Sequence, residues 1–162
     1  NLGKYSSNLF TLNTFYSSIK RTIKGNAPSD SILSFLCKYW NCVASNIIQW
    51  NELNKKEISK VDLRENYIVT QGVVIQAIGQ VGSYFINNLE INMYEILKGL
   101  RNIDWRRSAS IWKNRVIRAD GKILTSNKAI LLASNQIKKE LGIPLLPDEE
   151  LKEKRYLESL TI

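Results

Sequence analysis

Apolar residues recur at every third or fourth position in the first third of the chain, which is the spacing of the buried face of an α-helix. This pattern predicts one helix over residues 9–23 and a second over 30–47. Ser29 or Asp30 provides a polar cap that suits the start of the second helix. The polar stretch 51–60 lacks the periodicity, so we expect a connector there.

A long apolar segment, YIVTQGVVIQAIGQVGSYFI, occupies residues 67–86. Its β-branched residues are compatible with a strand, but its length favours a buried helix. Gly72, Gly79 and Gly82 fall close to one stripe of that helix, where each glycine costs about 1 kcal/mol relative to alanine. Close contact with a neighbouring helix offsets this cost, so we expect the three glycines to pack against one. A phosphate-binding loop is disfavoured because the segment lacks the full glycine fingerprint and the Lys-Ser/Thr ending of a P-loop.

Residues 92–125 predict shorter elements. A short helix is expected over 92–101. Asp120 and Gly121 stand between two pairs of apolar residues, which is typical of a two-residue turn in a β-hairpin. We therefore expect one small hairpin near residues 115–125.

The last part of the chain predicts two more helices. Ser126 is suited to cap a helix over 127–141, and Pro147 suits the first position of a final helix. Together with the earlier segments, the pattern predicts a mainly α fold. We expect a single helical domain over residues 1–162 that carries the one small β-hairpin.

Composition supports one globular domain and removes several kinds of chemistry. The 162 residues are 44% hydrophobic and 23% charged, which is typical of a globular protein. The chain has no histidine, which excludes Ser-His-Asp and Cys-His catalysis and histidine-ligated metals. No uninterrupted apolar run approaches the about 18 residues of a membrane span, and no predicted helix pairs a basic face with a strongly apolar one, so no membrane partner is expected. We predict no catalytic residue, no metal and no cofactor, and therefore not an enzyme.

The two cysteines, Cys37 and Cys42, lie on the second predicted helix. Five positions separate them by about 140° around a helix, so their side chains diverge and we expect no disulfide. Both are predicted to be small buried hydrophobes in a reducing compartment.

Charge is unevenly distributed along the chain, whose formal net charge is +8. Residues 98–139 contain eleven basic residues but only two acidic ones, Asp104 and Asp120, which gives this segment a net charge of +9. The remaining residues sum to −1. A segregated basic segment is typical of proteins that bind a polyanion such as nucleic acid. An uneven but merely solvated surface is the alternative.

The candidate DNA-binding residues lie in this basic segment. Its arginines offer planar forks for phosphate and guanine, and Trp105 and Trp112 either stack on a base or belong to the core. The helix over 127–141 is either a recognition helix, with asparagine reading adenine and lysine contacting phosphate, or simply an exposed polar face. The predicted DNA contacts are Arg106, Arg107, Lys113, Arg115, Arg118, Lys122, Asn127, Lys128, Asn135, Lys138 and Lys139.

Several segments, in order, are similar to one known family. The stretch LRENYIVTQGVVIQAIGQVG at residues 63–82 is similar to that family's L-R-x-x-Y-I…G…Q-A-x-G-x-x-G pattern. The strongest likeness is DWRRS…W…R at residues 104–115. On these motifs the chain resembles the DndB family of DNA sulfur-modification proteins, which are DGQHR-domain proteins, over about residues 9–155. The matching residues of the second motif are Asp104, Trp105, Arg107, Ser108, Trp112 and Arg115.

The resemblance implies a bacterial, cytoplasmic, DNA-binding transcriptional regulator of a DNA phosphorothioation gene cluster, and not a sulfur-transferring enzyme. The DGQHR motif that names the larger family is absent from the sequence, so we expect this chain to be the C-terminal portion of a longer protein. Ala109 and Asn114 also depart from the Asn and Gly that the family has there.

We therefore expect a DNA-binding regulator that contacts double-stranded DNA through residues 98–139. Other DNA sulfur-modification proteins are further expected partners. The sequence is also compatible with self-association of the chain into a homo-oligomer. The main alternative is a docking or assembly domain of a DNA modification or restriction system. The second alternative is that the chain is a fragment of an enzyme that acts on DNA.

Overall fold

The computed structural model describes residues 8–162, and its regular elements are helical. Two 3-10 turns, Lys98–Asn102 and Ser110–Trp112, accompany the α-helices. In chain order the α-helices are α1 (Leu12–Ile23), α2 (Asp30–Asn46), α3 (Ile48–Asn54), α4 (Lys60–Asn66), α5 (Gly72–Ile86), α6 (Met93–Leu97), α7 (Asn127–Glu140) and α8 (Pro147–Ser159). The mainly α fold class is thereby confirmed.

Helix α5 is the centre of the core and packs between α1 and α7. It is apolar almost all round, and most of its residues are buried. A helix with this pattern must be covered on several faces, because its exposed apolar surface would otherwise contact water. Tyr39 of α2 reaches the same core, where its hydroxyl donates to the carbonyl oxygen of Ile78 at 2.5 Å.

The glycine stripe of α5 lies against α1, as the sequence predicts. Ser18 donates from its hydroxyl to the Ile75 carbonyl oxygen at 2.8 Å, and Thr22 donates to the Gly79 carbonyl oxygen at 2.8 Å. A Cβ atom on Gly79 would lie 2.2 Å from Ser18 Oγ, and one on Gly82 would lie 2.8 Å from Thr22 Cγ2. Only glycine therefore permits the two backbones to approach this closely.

The segment before α5 is not helical, so the prediction of one helix over residues 67–86 is wrong for its first five residues. Tyr67 is extended, and the residues after it form a turn in which the Gln71 N–H donates to the Ile68 carbonyl oxygen at 2.9 Å. Tyr67 forms an isolated antiparallel bridge with Arg106. The Ile68 N–H donates to the Trp105 carbonyl oxygen at 3.0 Å. These partners are distant in sequence, and they favour the extended backbone that β-branched residues prefer.

The predicted connector over 51–60 is partly helical, since α3 extends to Asn54. Trp50 anchors this short helix on the core: its indole is buried, and its Nε1–H donates to the Val69 carbonyl oxygen at 3.3 Å. Leu53 of the same helix also packs against the core, so a stretch that looks polar in sequence has apolar contacts.

The predicted β-hairpin near residues 115–125 is also wrong, because residues 8–162 contain no strand. The turn itself forms: the Arg118 N–H donates to the Lys122 carbonyl oxygen at 2.8 Å, and Gly121 has φ of +80°. Its first arm cannot continue as a strand, because the N–H groups of residues 115, 116 and 117 all donate to the Trp112 carbonyl oxygen. That arm is a turn, and the two arms are joined by an isolated bridge between Ile117 and Ile123 and by a hydrogen bond from the Leu124 N–H to the Val116 carbonyl oxygen at 2.7 Å.

The remaining helix predictions agree with the structure to within a few residues. Ser126 accepts from the Ala129 N–H at 3.1 Å as the N-cap of α7, and Pro147 is the first residue of α8. The short helix expected over 92–101 is α6, continued by the first 3-10 turn. Among the described residues no helix is both long and apolar enough to cross a membrane.

The cysteines form no disulfide, which confirms that prediction. Cys42 is buried, and burial raises the pKa of its thiol. Cys37 is exposed, so the expectation that both are buried is wrong for this residue.

Candidate nucleic-acid interface

The tryptophan pair belongs to the core. Trp105 and Trp112 are both buried, and their rings stack with centroids 5.4 Å apart and planes 11° from parallel. Trp105 donates from Nε1 to the Leu100 carbonyl oxygen at 3.2 Å, and Trp112 donates to the Asp104 carbonyl oxygen at 2.6 Å. The two rings therefore organise the loop that carries the arginines and are not available to stack on a base.

Three of the predicted DNA contacts, Arg115, Asn135 and Lys138, are buried. Arg115 forms a bidentate ion pair with Glu153 of α8, with Nη1 2.8 Å from Oε2. Lys138 lies 2.9 Å from both carboxylate oxygens of Glu149. Side chains with these partners and this burial cannot reach a DNA surface, so the structure corrects the prediction for all three.

Asn135 belongs to the same buried cluster. Its Nδ2 donates to the Glu149 carbonyl oxygen at 3.1 Å and to Glu153 Oε2 at 3.3 Å. Lys139, which is exposed, also donates to Glu153 at 3.3 Å. We call Arg115, Asn135, Lys138, Glu149 and Glu153 the buried charge cluster. It joins α7, α8 and the turn after Trp112, so its role is structural.

Helix α7 is not a recognition helix in this fold. It packs against α5 on one side and α8 on another, and nine of its residues are buried. A recognition helix must expose one face along its length to enter the major groove. Only the ends of α7 are exposed, with Asn127 and Lys128 at its start and Lys139 near its end.

Several exposed arginines and lysines of residues 98–139 have acidic partners close by in sequence. Arg106 pairs with Asp104, with Nε 2.9 Å from Oδ1, and Arg118 pairs with Asp120 at 2.8 Å between the same atoms. Lys122 lies 4.0 Å from Asp120. The hydrogen bond from Arg118 lowers the pKa of Asp120 to about 2, and the hydrogen bond from Arg106 lowers the pKa of Asp104. These local pairs reduce the charge that the loop offers to a polyanion.

Arg107, Lys113 and Lys128 are the remaining predicted contacts with basic side chains. Lys113 and Lys128 are exposed, and Arg107 is half-buried. The part of the chain that the structure describes supplies no ion-pair partner for any of them. Of the predicted contacts, these three retain uncompensated positive charge.

Because of the buried charge cluster, the free energy of unfolding should depend on pH in the acidic range. Burial acts to raise the pKa of Glu153, but the hydrogen bonds and charge of Arg115, with smaller contributions from Asn135 and Lys139, outweigh it and hold this pKa below its usual range. The unfolded chain then binds the proton more tightly than the folded chain, so the stabilisation is complete above the unfolded pKa of about 4.3 and is lost as pH falls through the lower folded value.

We expect unfolding free energy to fall as pH decreases below about 4.3. Glu153→Gln, which cannot ionise, should show a flatter dependence in this range than the wild type, although Asp104 and Asp120 contribute the same sign in both proteins. Urea titrations at a series of pH values measure the two slopes. Identical slopes would show that Glu153 has an ordinary pKa in the folded chain.

A groove lined by basic side chains extends from α1 across α5 to α7 and α8. Its two halves, of about 490 and 450 Å³, share Arg21 and Gln80. Among the described residues no aspartate or glutamate lines either half. We call this surface the cationic groove. Its basic residues are Lys20, Arg21, Lys24, Lys128, Lys152 and Arg155.

The helices place these cations for local reasons. Ser18 and Thr22 turn one face of α1 toward α5, which leaves Lys20 and the C-cap residue Lys24 on the open side and Arg21 at the edge, where it reaches Gln76 and Gln80 of α5. Lys20 and Arg21 also lie in the last turn of α1, where positive charge is favourable for the helix dipole.

Two of the groove cations have local partners. Lys152 lies 3.1 Å from Asp148, one turn earlier on α8. Lys20 lies over the Tyr16 ring, 5.5 Å from its centroid. Both contacts are at exposed side chains, where such pairs contribute about 0–1 kcal/mol and compete weakly with a polyanion.

Arg21 is fixed at the point where the two halves meet. Its Nε donates to Gln76 Oε1 at 3.2 Å, its Nη1 to Gln80 Oε1 at 3.4 Å and its Nη2 to Asn127 Oδ1 at 2.8 Å. All three acceptors are neutral amides. The guanidinium is therefore oriented without its charge being neutralised.

Sequence reasoning did not identify five of the six groove cations, since only Lys128 lies within residues 98–139. A signal was present for α1: the chain has no acidic residue before Asp30, so Lys20, Arg21 and Lys24 stand in an uncompensated basic stretch. No such signal marked Arg155, because the helix that carries it, α8, holds five acidic residues and only three basic ones.

The groove and the fold define a helical protein with a basic surface groove, and none of the described residues that line it is an aspartate or glutamate. The sequence model of the DndB family, described as DNA-sulfur modification-associated, matches residues 1–144 of the 162, and the chain belongs to this family. Membership associates the protein with DNA phosphorothioate modification. Searches of curated proteins and of solved structures found no match.

Residues 8–162 contain no group of three or more Cys, Asp or Glu side chains arranged to hold a metal ion.

Proposed function

We propose that this chain binds double-stranded DNA as a transcriptional regulator of a DNA phosphorothioate-modification gene cluster in the bacterial cytoplasm, and that it is a binding protein and not an enzyme. The observation that carries the proposal is the cationic groove, in which three helices contribute basic side chains and none of the lining residues that the structure describes carries a carboxylate. Family membership supplies the link to DNA sulfur modification.

The physical support is electrostatic. A duplex carries one negative charge per about 1.7 Å of its axis, and each phosphate neutralised by a protein cation releases condensed counterions. Basic side chains that are fixed on a rigid helical surface and lack acidic neighbours present the strongest field to such a partner. The groove meets this condition better than the loop of Arg106 and Arg118, whose charges are paired with Asp104 and Asp120.

Removing three groove cations should weaken binding to any duplex. For the triple variant Lys24→Ala, Lys128→Ala and Arg155→Ala we expect the slope of log K against log salt to flatten by about two to three units, at about 0.9 for each phosphate that the variant no longer neutralises. Fluorescence anisotropy with a random duplex at several salt concentrations measures this slope.

A matched control removes the same number of exposed cations from places where each has an acidic partner. Arg106, Arg118 and Lys154, paired with Asp104, Asp120 and Glu158, serve this purpose when changed to alanine. A folded groove variant with the wild-type salt slope would exclude the groove as the DNA surface. The regulatory part is tested separately by comparing binding to the promoter of the modification genes with binding to the random duplex.

The competing proposal is a docking domain for other DNA sulfur-modification proteins. It is favoured by apolar side chains that α1 and α2 leave in solvent, where Leu12 is 86% exposed and Leu33 is 61% exposed. Absence of salt-dependent duplex binding by the wild-type chain, together with co-purification of a modification protein that Leu12→Ser abolishes, would favour docking over regulation.

A further inference from the structure

The junction of the cationic groove contains a guanidinium with spare donors. Arginine has five N–H donors, and Arg21 directs three of them to Gln76, Gln80 and Asn127. One donor on Nη1 and one on Nη2 remain for another acceptor. Two parallel N–H groups of one guanidinium can bind two oxygens of a phosphate in bidentate fashion.

The charge balance at this junction favours an anion. The three acceptors orient the guanidinium but bring no negative charge, and none of the described residues forms an ion pair with Arg21. Partial burial lowers the pKa of Arg21, yet an arginine remains protonated throughout the neutral range. Partial removal from water also strengthens its attraction for an anion relative to an exposed lysine.

The space around Arg21 is open on both sides. It lines both halves of the groove, with Lys24 in the first half and Lys128 in the second. A phosphate at Arg21 would therefore have a lysine on either side along the groove, to which neighbouring phosphodiesters of one strand could bind.

We propose that Arg21 forms an oxyanion site for a phosphate group, with Gln76, Gln80 and Asn127 as positioning residues. This inference rests on the proposed function where the phosphate is a phosphodiester of DNA. A free phosphate group offers the same oxygens. Separate titrations with inorganic phosphate and with duplex DNA distinguish these two sources.

The first test converts one neutral acceptor into a carboxylate. Gln76→Glu is nearly isosteric and places a negative charge on the group that accepts from Arg21 Nε, so the guanidinium gains an internal partner and no longer attracts an anion. We expect phosphate titrated against the protein, followed by the Arg21 Nε–Hε resonance, to bind at least about tenfold more weakly, and the duplex likewise. The melting temperature should be unchanged or higher, which separates loss of binding from loss of fold.

A control for the added charge is Asn41→Asp, which introduces one carboxylate on an exposed position of α2 outside the groove. We expect it to change phosphate and duplex affinity by less than about threefold. If Gln76→Glu and Asn41→Asp weaken binding equally, only net charge matters and the Arg21 site is excluded.

The second test keeps the positive charge of residue 21 but removes the planar guanidinium group. Arg21→Lys should lower duplex affinity by about tenfold with nearly the wild-type salt slope, because lysine still neutralises one phosphate but cannot bind two oxygens in a fixed plane. A folded Arg21→Lys protein with wild-type affinity for duplex and phosphate would overturn the proposal.

The two arms distinguish the failure of this inference from the failure of DNA binding. Duplex binding that is insensitive to Gln76→Glu and Arg21→Lys leaves the DNA-binding function intact and removes the Arg21 site. Phosphate binding that is sensitive to both variants, in a chain that does not bind duplex, supports the site and assigns it to a free phosphate group.

Discussion

Gly79→Ala is expected to destabilise the folded chain by about 3 kcal/mol, although alanine is the better helix former. The added Cβ would lie 2.4 Å from the Ser18 carbonyl oxygen and 2.2 Å from its Oγ. The first of these atoms belongs to the backbone, which cannot rotate away, so α1 must move outward from α5. That movement also weakens the hydrogen bonds from Ser18 and Thr22 to carbonyl groups of α5.

Gly72→Ala is the matched control on the same helix. Its Cβ would meet Thr14 at 3.4 Å, which is an ordinary contact, so we expect a change in unfolding free energy of less than about 1 kcal/mol. Urea denaturation of both variants provides the comparison. Equal stabilities would mean that α1 does not pack on the glycine stripe, and the position of Arg21 would then also be wrong.

The helices that could be predicted from the sequence are those specified by local signals. The caps of α2 and α7 are hydroxyl groups three residues before the N–H that they accept from, and the glycine stripe of α5 is a regular spacing. The errors arise where a distant contact decides the structure. Tyr67 and Ile68 pair with the loop of Trp105, which keeps the start of the apolar segment out of the helix, and Trp50 of α3 reaches the Val69 carbonyl oxygen.

The candidate site illustrates the same limit for charge. The segment of residues 98–139 is strongly basic in sequence, but Arg115 and Lys138 are neutralised by Glu153 and Glu149, which lie 38 and 11 residues away. A count along the chain cannot include partners that only the fold brings together. Conversely, Arg21 and Asn127 are 106 residues apart, and only their contact reveals where the groove halves meet.

Glu153→Gln is expected to destabilise the chain by about 3–5 kcal/mol, because it leaves Arg115 as a buried charge without a carboxylate. Both side chains of this pair are buried, with 3% of Arg115 and 7% of Glu153 exposed. Arg115 also donates to the Leu132 carbonyl oxygen at 3.1 Å and lies over the Tyr156 ring at 4.1 Å. These interactions hold the guanidinium in place, so it cannot turn to solvent when its partner is removed.

Glu158→Gln, on the same helix, is the control. Its pair with Lys154 is exposed and 4.0 Å long, so we expect a loss of stability below about 0.5 kcal/mol. The double variant Arg115→Met with Glu153→Met should recover most of the stability that Glu153→Gln removes, since a buried ion pair replaced by apolar side chains of similar volume is often neutral. Chemical denaturation of the wild type and the three variants measures these differences. If Glu153→Gln is no less stable than Glu158→Gln, Arg115 is not buried against α8, and its assignment as a DNA contact would have to be considered again.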